Sequence, residues 1–335
     1  MPLTLLWLQL AAAAGIILVA AHFMARAADI IAEKTGLGRS FIGVVMLASA
    51  TSLPELGTGV SSIVLVGEVD LAAGDAFGSN LFNLLIIGLL DLYWRRGPIL
   101  ASVTLTSALV GVQGILIISV ALVALVFHSS TSVASGWPLS PMTALMFAIF
   151  MGAMYLTYRD ERNSEGKVEG GENYEGSSLP KVFITYLITA SIVVGAAIWL
   201  ANIGEDLAHE MRWETSFVGT QFLALSTSLP EMAASFAAVR LGAPELAITN
   251  LLGSNLFNMG FVLFADDLVF TQGVLWASVA EIHIMTAMIA MVMTATVVTG
   301  ILINRQYAFK MPVTVEAGAM IALYAAASAL VFQGR

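Results

Sequence analysis

Residues 51–55 read TSLPE, and residues 227–231 read TSLPE again. Both copies lie inside apolar runs, where a glutamate is costly to bury and a proline interrupts a helix. The flanks repeat as well: Ser40-Phe41-Ile42-Gly43 aligns with Ser216-Phe217-Val218-Gly219, and ATSLPEL (50–56) with STSLPEM (226–232), at a constant offset of 176 residues (51 to 227). GSNLFN at 78–83 recurs at 253–258, an offset of 175 (78 to 253), so the first half has one extra residue between its acid and its GSN.

The setting of these repeats is apolar. The chain has 335 residues, 58% of them hydrophobic and only 11% charged, outside the soluble globular range. Its apolar runs mostly exceed the ~20 residues that cross a bilayer core. They predict an all-α polytopic membrane protein with ten transmembrane helices, near 4–33, 40–66, 71–93, 100–127, 141–158, 182–204, 216–240, 244–266, 275–303 and 313–333. The single long polar break, 159–181, is Gly- and Glu-rich and reads as a solvated linker between a five-helix repeat (1–158) and a second one (182–335). An odd number of helices per half forces the second to enter from the opposite side, making an inverted repeat. Such pairs build transporters with a midplane site at Gly- or Pro-interrupted segments.

Basic residues set the orientation. With both termini outside, Lys34, Arg39, Arg95, Arg96, Arg159, Arg162, Lys167, Lys181, Arg240, Arg305 and Lys310 all fall on the cytoplasmic side, and the 159–181 loop is cytoplasmic, as expected of a multi-pass protein of the cell's inner or plasma membrane. The first run lacks a basic n-region and a small-residue cleavage site and reads as a retained helix. The net charge of −9 comes largely from acidic loops and implies no nucleic-acid partner. The partner these features do imply is the lipid bilayer. No oligomeric state follows from them; a monomer suffices.

With no cysteine, thiolate metal sites are excluded, and the four histidines (His22, His128, His209, His283) lie away from the repeated motifs in sequence. The oxygens of the repeats point to a hard cation instead. Pro54 and Pro230 have no N–H to return to the carbonyls of Ala50 and Ser226, with Thr51 and Thr227 close by, and the hydroxyls of Thr51, Ser52, Thr227 and Ser228 crowd the same turns. Glu55 and Glu231 are expected to face one another, which suits Ca2+, a cation of ~6 to 8 oxygen ligands. Gly78 and Gly253 allow close helix approach, while Ser79, Asn83, Ser254 and Asn258 set hydroxyl and amide oxygens four residues apart on helix faces. The same all-oxygen cage suits Na+. No resident cofactor is implied; Ca2+ and Na+ are cargo.

Other acids are less determined. Asp75, where the second half has Asn250, reads either as a titrating or ion-entry acid or as a polar helix contact. Glu281 and His283 are expected near the outer end of the ninth helix, contacting headgroups or loops. Arg26 with Asp29, and Glu205 with Asp206, suggest snorkelling or salt-bridging helix ends.

These motifs resemble the cation/Ca2+ exchanger superfamily, in its prokaryotic sodium/calcium exchanger branch, over nearly the whole chain. The resemblance implies a Na+/Ca2+ antiporter working by alternating access, with helices one and six sliding against the other eight. It also implies central carboxylates Glu55 and Glu231, Ca2+ carbonyls at Thr51 and Thr227, and Na+ ligands at Ser52, Ser228, Ser79, Ser254 and the carbonyls of Ala48 and Ala224, with Asn83 and Asn258 flanking. An aspartate found at one of these two flanking positions in potassium-dependent relatives is absent, which argues against K+ coupling. The same-fold rival is H+-coupled cation exchange. An intramembrane aspartyl protease built on Asp75 needs a second intramembrane aspartate, and the central helices offer no obvious one in sequence.

Overall fold

The computed structural model describes residues 3–37, 39–130, 139–163, 178–211, 223–306 and 314–333. All regular structure among them is helical. We label the helices α1 (Leu3–Thr35), α2 (Arg39–Val66, in segments), α3 (Val69–Tyr93), α4 (Leu105–Ser130) and α5 (Pro141–Asn163). The second half contributes α6 (Leu179–Glu210), α7 (Ala224–Thr227 and Leu229–Arg240), α8 (Pro244–Val269, in segments), α9 (Ile282–Gln306) and α10 (Val315–Gln333). Eight described helices are long and apolar enough to cross a membrane, and Val315–Val331 is a shorter apolar helix. The start of the seventh predicted run, with Ser216–Gly219, and most of the 159–181 segment lie outside the described residues.

Two predicted runs are corrected. The fourth starts not at 100 but at Leu105, because Ile99–Ser102 form a 3-10 turn after Pro98. The ninth is broken: Leu275–Ser278 is a separate short helix, extended backbone follows at Val279, and α9 begins at Ile282.

The repeated motif breaks its helix in both copies. Ser52 (φ −92°, ψ 6°) and Ser228 (φ −82°, ψ 6°) leave helical geometry, and a new helix starts directly after each with its proline in the first turn. Segments of π-helix flank the breaks at Gly43–Leu47 and Ser62–Val66 in α2, and another, Asn258–Val262, interrupts α8 directly after its GSNLF. Such wide turns recur at functional sites.

Burial ranks the helices. In α8, 94% of the apolar window is buried, and in α3 72%, against 22% in α1, so α8 and α3 form the centre and α1 lies outside, along α6 and α7. Small residues bring the centre together. A Cβ on Gly253 of α8 would lie 2.8 Å from the Val44 Cα and 3.0 Å from the Ala48 Cβ, so α8 seats directly on the backbone of α2.

Buried polar groups tie the helix ends. Asp29 of α1 pairs with Arg39 of α2 at 2.5 Å, both inside the protein, giving Asp29 the salt-bridging role expected at this helix end. Glu245, at the start of α8, accepts the hydroxyls of Ser107 (2.5 Å), Ser40 (2.7 Å) and Thr104 (2.8 Å) and the Thr104 N–H (2.6 Å).

Candidate ion-binding site

The two helix breaks put the acids of one half against the serines of the other. The Ser52 hydroxyl donates to Glu231 Oε1 at 2.9 Å, and the Ser228 hydroxyl donates to Glu55 Oε1 at 3.3 Å. Ser254 of α8 adds a second donor to Glu231 Oε1 at 3.4 Å. Glu55, Glu231, Ser52, Ser228, Ser79, Ser254, Asn83, Asn258, Thr51 and Thr227 all have no exposed surface. The structure thus gathers the motif side chains from α2, α3, α7 and α8 into one buried cluster.

What the cluster leaves open is as informative. Glu55 Oε2, Glu231 Oε2, Asn83 Oδ1 and Asn258 Oδ1 are buried oxygens with no hydrogen-bond donor. Buried polar oxygens are nearly always paired, and an unpaired buried carboxylate oxygen is costly. Four such acceptors in one constellation fit a cation that supplies the missing positive charge. Among the described residues no three His, Asp or Glu side chains converge to hold a metal, so two carboxylates with neutral oxygens around them are the donor set. That set fits a hard cation and not a His- or thiolate-seeking metal.

The threonines point back along their helices. The Thr51 hydroxyl reaches the carbonyls of Leu47 (3.1 Å) and Ala48 (3.3 Å), and the Thr227 hydroxyl those of Leu223 (3.1 Å) and Ala224 (3.3 Å). The Ala48 and Ala224 carbonyls also accept the N–H groups of Ser52 (2.9 Å) and Ser228 (3.0 Å), so an ion there would share them.

Asp75 is drawn into the cluster from α3. Its carboxylate accepts the Thr227 hydroxyl at 2.9 Å and a short hydrogen bond from Thr58, with Ser79 at 3.5 Å. Its counterpart Asn250 instead meets the Thr51 hydroxyl at 3.4 Å and donates to Ser235 at 3.0 Å. Both halves therefore reach across to the threonine of the opposite motif, one with an acid and one with an amide.

Sequence reasoning missed several participants. Asn255 accepts the Asn83 side-chain N–H at 3.0 Å and donates to the Asn80 carbonyl at 3.3 Å, knitting the two GSNLFN segments together. The signal was present, since Asn80 and Asn255 sit inside the repeated hexapeptide. Asp266 is a second buried aspartate within electrostatic reach of Asp75, correcting the expectation that no such partner exists. His283 lies at the end of α9, where the sequence puts it, but is more buried than expected: it is 2% exposed, stacks on Phe77 at 5.7 Å and lies 3.8 Å from Asp70. It therefore packs inward, on the residue that precedes the first GSNLFN.

An all-helical membrane protein with a buried, donor-poor cluster of carboxylate and amide oxygens between two broken helices belongs to the class that handles cations inside the membrane. The chain belongs to the sodium/calcium exchanger protein family, whose profile matches residues 5–157 and 181–333. It is 28% identical over 267 residues to the inner membrane protein YrbG of Escherichia coli, covering 76% of this chain and 78% of that one. The putative antiporter CaxA of Alkalimonas amylolytica is 27% identical over 264 residues, covering 76% and 77%. Among solved structures, the sodium-calcium exchanger NCX_Mj soaked with Na+ and Sr2+ superposes with a TM-score of 0.67 at 19% identity over 98% of each chain, which establishes the shared fold. Membership makes this chain a cation antiporter of the exchanger type.

Proposed function

We propose that this protein is a secondary-active antiporter that exchanges Na+ for Ca2+ across the membrane by alternating access. The observation that carries the reading is the set of partnerless buried oxygens on Glu55, Glu231, Asn83 and Asn258. Two carboxylates carry the charge one Ca2+ neutralises, and two or more Na+ are needed to replace it, so the two ions compete for one cage. In this reading Glu55 and Glu231 bind Ca2+ with the carbonyls of Thr51 and Thr227. Ser52, Ser228, Ser79, Ser254 and the carbonyls of Ala48 and Ala224 serve Na+. Asn83 and Asn258 close the two ends.

The architecture proposed with this function is ten membrane helices in two inverted five-helix repeats, 1–158 and 182–335, joined by a cytoplasmic 159–181 linker, with both termini outside. The crossed Ser52–Glu231 and Ser228–Glu55 contacts support it, since each half supplies the hydroxyl for the other's acid. The packing of α1 along α6, outside the buried centre, supports a pair that slides against the rest.

Ca2+ uptake into vesicles containing the purified protein tests the coupling. An imposed Na+ gradient is expected to drive Ca2+ against its own gradient. A flux indifferent to Na+ but driven by a pH gradient overturns Na+ coupling in favour of H+.

A further inference from the structure

The repeat pairs Asp91 with Asp266 at the same offset of 175 (91 to 266), and the two are used differently. Asp91 is satisfied: it accepts the Ile99 N–H at 2.7 Å and the Thr314 hydroxyl at 2.6 Å, pinning the end of α3 to the next loop and to α10. In the second half that structural task falls to Asp267, which accepts the Ser140 N–H at 2.8 Å. Asp266 is left over. It has no exposed surface, and neither of its oxygens has a hydrogen-bond donor.

Its surroundings rule out an ion pair as the explanation. The carboxylate lies flat on α2 at Gly59, where a Cβ would come within 2.7 and 2.8 Å of its two oxygens. Two residues earlier on the same helix, Phe264 stacks on Phe147 of α5, with ring centroids 4.3 Å apart. The elements packed against this turn are α2, α3, α5 and the π segment of α8. Their titratable groups are Arg39 and Glu55 on α2 and Asp70, Asp75, Asp91 and Tyr93 on α3, with Asp267 adjacent on α8 and His128 of α4 beyond it; Arg39 pairs with Asp29, and Asp91 is bonded to Ile99 and Thr314. Those of α5 (Tyr155, Tyr158, Arg159, Asp160) sit at its opposite end. Asp75 and Asp267 are close enough to repel a charge on Asp266. An anion in this place would cost several kcal/mol. Among the described residues no third acid or imidazole converges with it to hold a metal.

We propose that Asp266 is a proton-binding site, separate from the central cage, that holds a proton while α8 is packed on Gly59 and gives it to water when that contact opens. The balance is a carboxylic acid plus water going to a carboxylate plus hydronium, with no other reactant. Transport then depends on pH through this residue. When the proton is lost, the carboxylate is repelled by Asp75 and Asp267, the packed state is disfavoured, and exchange slows at alkaline pH.

Infrared difference spectroscopy on the full-length protein in lipid tests the protonation without reference to which ion is carried. Wild type minus Asp266→Asn at neutral pH is expected to show loss of one carboxylic-acid C=O band at the high frequency of an acid without hydrogen bonds. Loss of a carboxylate band instead overturns the proposal. If Asp266→Asn does not fold, aspartate-specific 13C labelling of Asp75→Asn gives the same reading: a persisting aspartic-acid band supports the site, and its absence overturns it. In vesicles, Asp266→Asn is expected to match wild-type Ca2+ flux at acidic pH and exceed it at alkaline pH. Superimposable pH profiles overturn the functional role even if Na+/Ca2+ exchange itself is sound.

Discussion

Replacing Glu231 by Gln separates the charge of the site from its shape. Glu231 Oε1 accepts Ser52 at 2.9 Å and Ser254 at 3.4 Å, and an amide oxygen can accept both, whereas Oε2 has no donor to lose. The variant therefore keeps its local hydrogen bonds and loses one negative charge. Without ions, relief of the repulsion from Glu55 offsets the newly unpaired amide, so the ion-free protein should keep its thermal stability to within ~1 kcal/mol. With Ca2+ the outcome reverses. Removing one partner of a buried charge interaction costs about 3–5 kcal/mol, or roughly 10²- to 10⁴-fold in affinity. Wild type at a hundredfold excess of Ca2+ over Kd gains about 2.7 kcal/mol of stability, and a variant bound 10²-fold more weakly gains about 0.4 kcal/mol at the same concentration. A Ca2+ titration of melting temperature in detergent, alongside vesicle uptake, reads both quantities. An undiminished Ca2+-induced shift in Glu231→Gln, with flux retained, would refute the argument.

Other consequences are as direct. Ser52→Ala and Ser228→Ala each remove one donor to the opposite acid, about 1.5–3 kcal/mol for a hydrogen bond to a charged group, and the larger loss of ion affinity by calorimetry is expected for Ser52, whose contact is shorter (2.9 against 3.3 Å). Gly253→Ala drives a Cβ to 2.8 Å from the Val44 Cα and should lower stability by about 1–3 kcal/mol in thermal unfolding, while Gly15→Ala, with open space around it, should not. Arg39→Ala leaves the buried Asp29 charge without this guanidinium and should cost about 3–5 kcal/mol in the same measurement, largely recovered in Arg39→Ala/Asp29→Asn. Raising Na+ should weaken apparent Ca2+ affinity with a Hill coefficient above one, measured by isotope binding; Ca2+ binding indifferent to Na+ would remove the competition.

Much of the site was legible because two kinds of constraint are written in sequence. A proline on the residue before a buried acid fixes where a helix must break, and both breaks fall one residue before the Leu-Pro-Glu of the repeat. A motif that recurs at constant offset marks equivalent residues, so Glu55 with Glu231 and Ser52 with Ser228 could be paired before any coordinates. Contacts that depend on how two helices settle were not legible. Nothing in the sequence says that the Asn83 amide spends its N–H on Asn255, that His283 turns inward onto Phe77, or that Glu245 gathers three hydroxyls. The 3-10 turn before α4 and the break before α9 were missed although Ser102 and Thr104, and Ser278 and Glu281, lie in them, because single polar residues among apolar ones leave the overall hydrophobic run intact and element boundaries are what periodicity resolves least well.

The repeat also misleads in one instructive way, because equal position does not ensure equal use. At the centre the two halves remain interchangeable: each serine finds the other half's glutamate. One turn to two turns away they diverge, Asp75 facing Asn250 across the repeat, and Asp91 bonded where Asp266 is bare. The divergence has a physical origin in the charge each position must tolerate. An amide is neutral and can be buried with ordinary partners, whereas a second or third acid near Glu55 and Glu231 raises the local negative charge and must be met by hydroxyl donors, as at Asp75, or by neutralisation. The added acid, Asp75, and the donor-free Asp266 fall on one flank of the cage, Asp75 against Thr58 and Asp266 against Gly59, on consecutive residues of α2 one turn beyond Glu55. A cation crossing between the cage and that flank therefore meets the Asp75 carboxylate, whereas the corresponding position on the opposite side holds the neutral Asn250. The near-symmetric centre and the unequal flanks are thus separate properties of the same repeat, the first set by the motif and the second by single substitutions outside it.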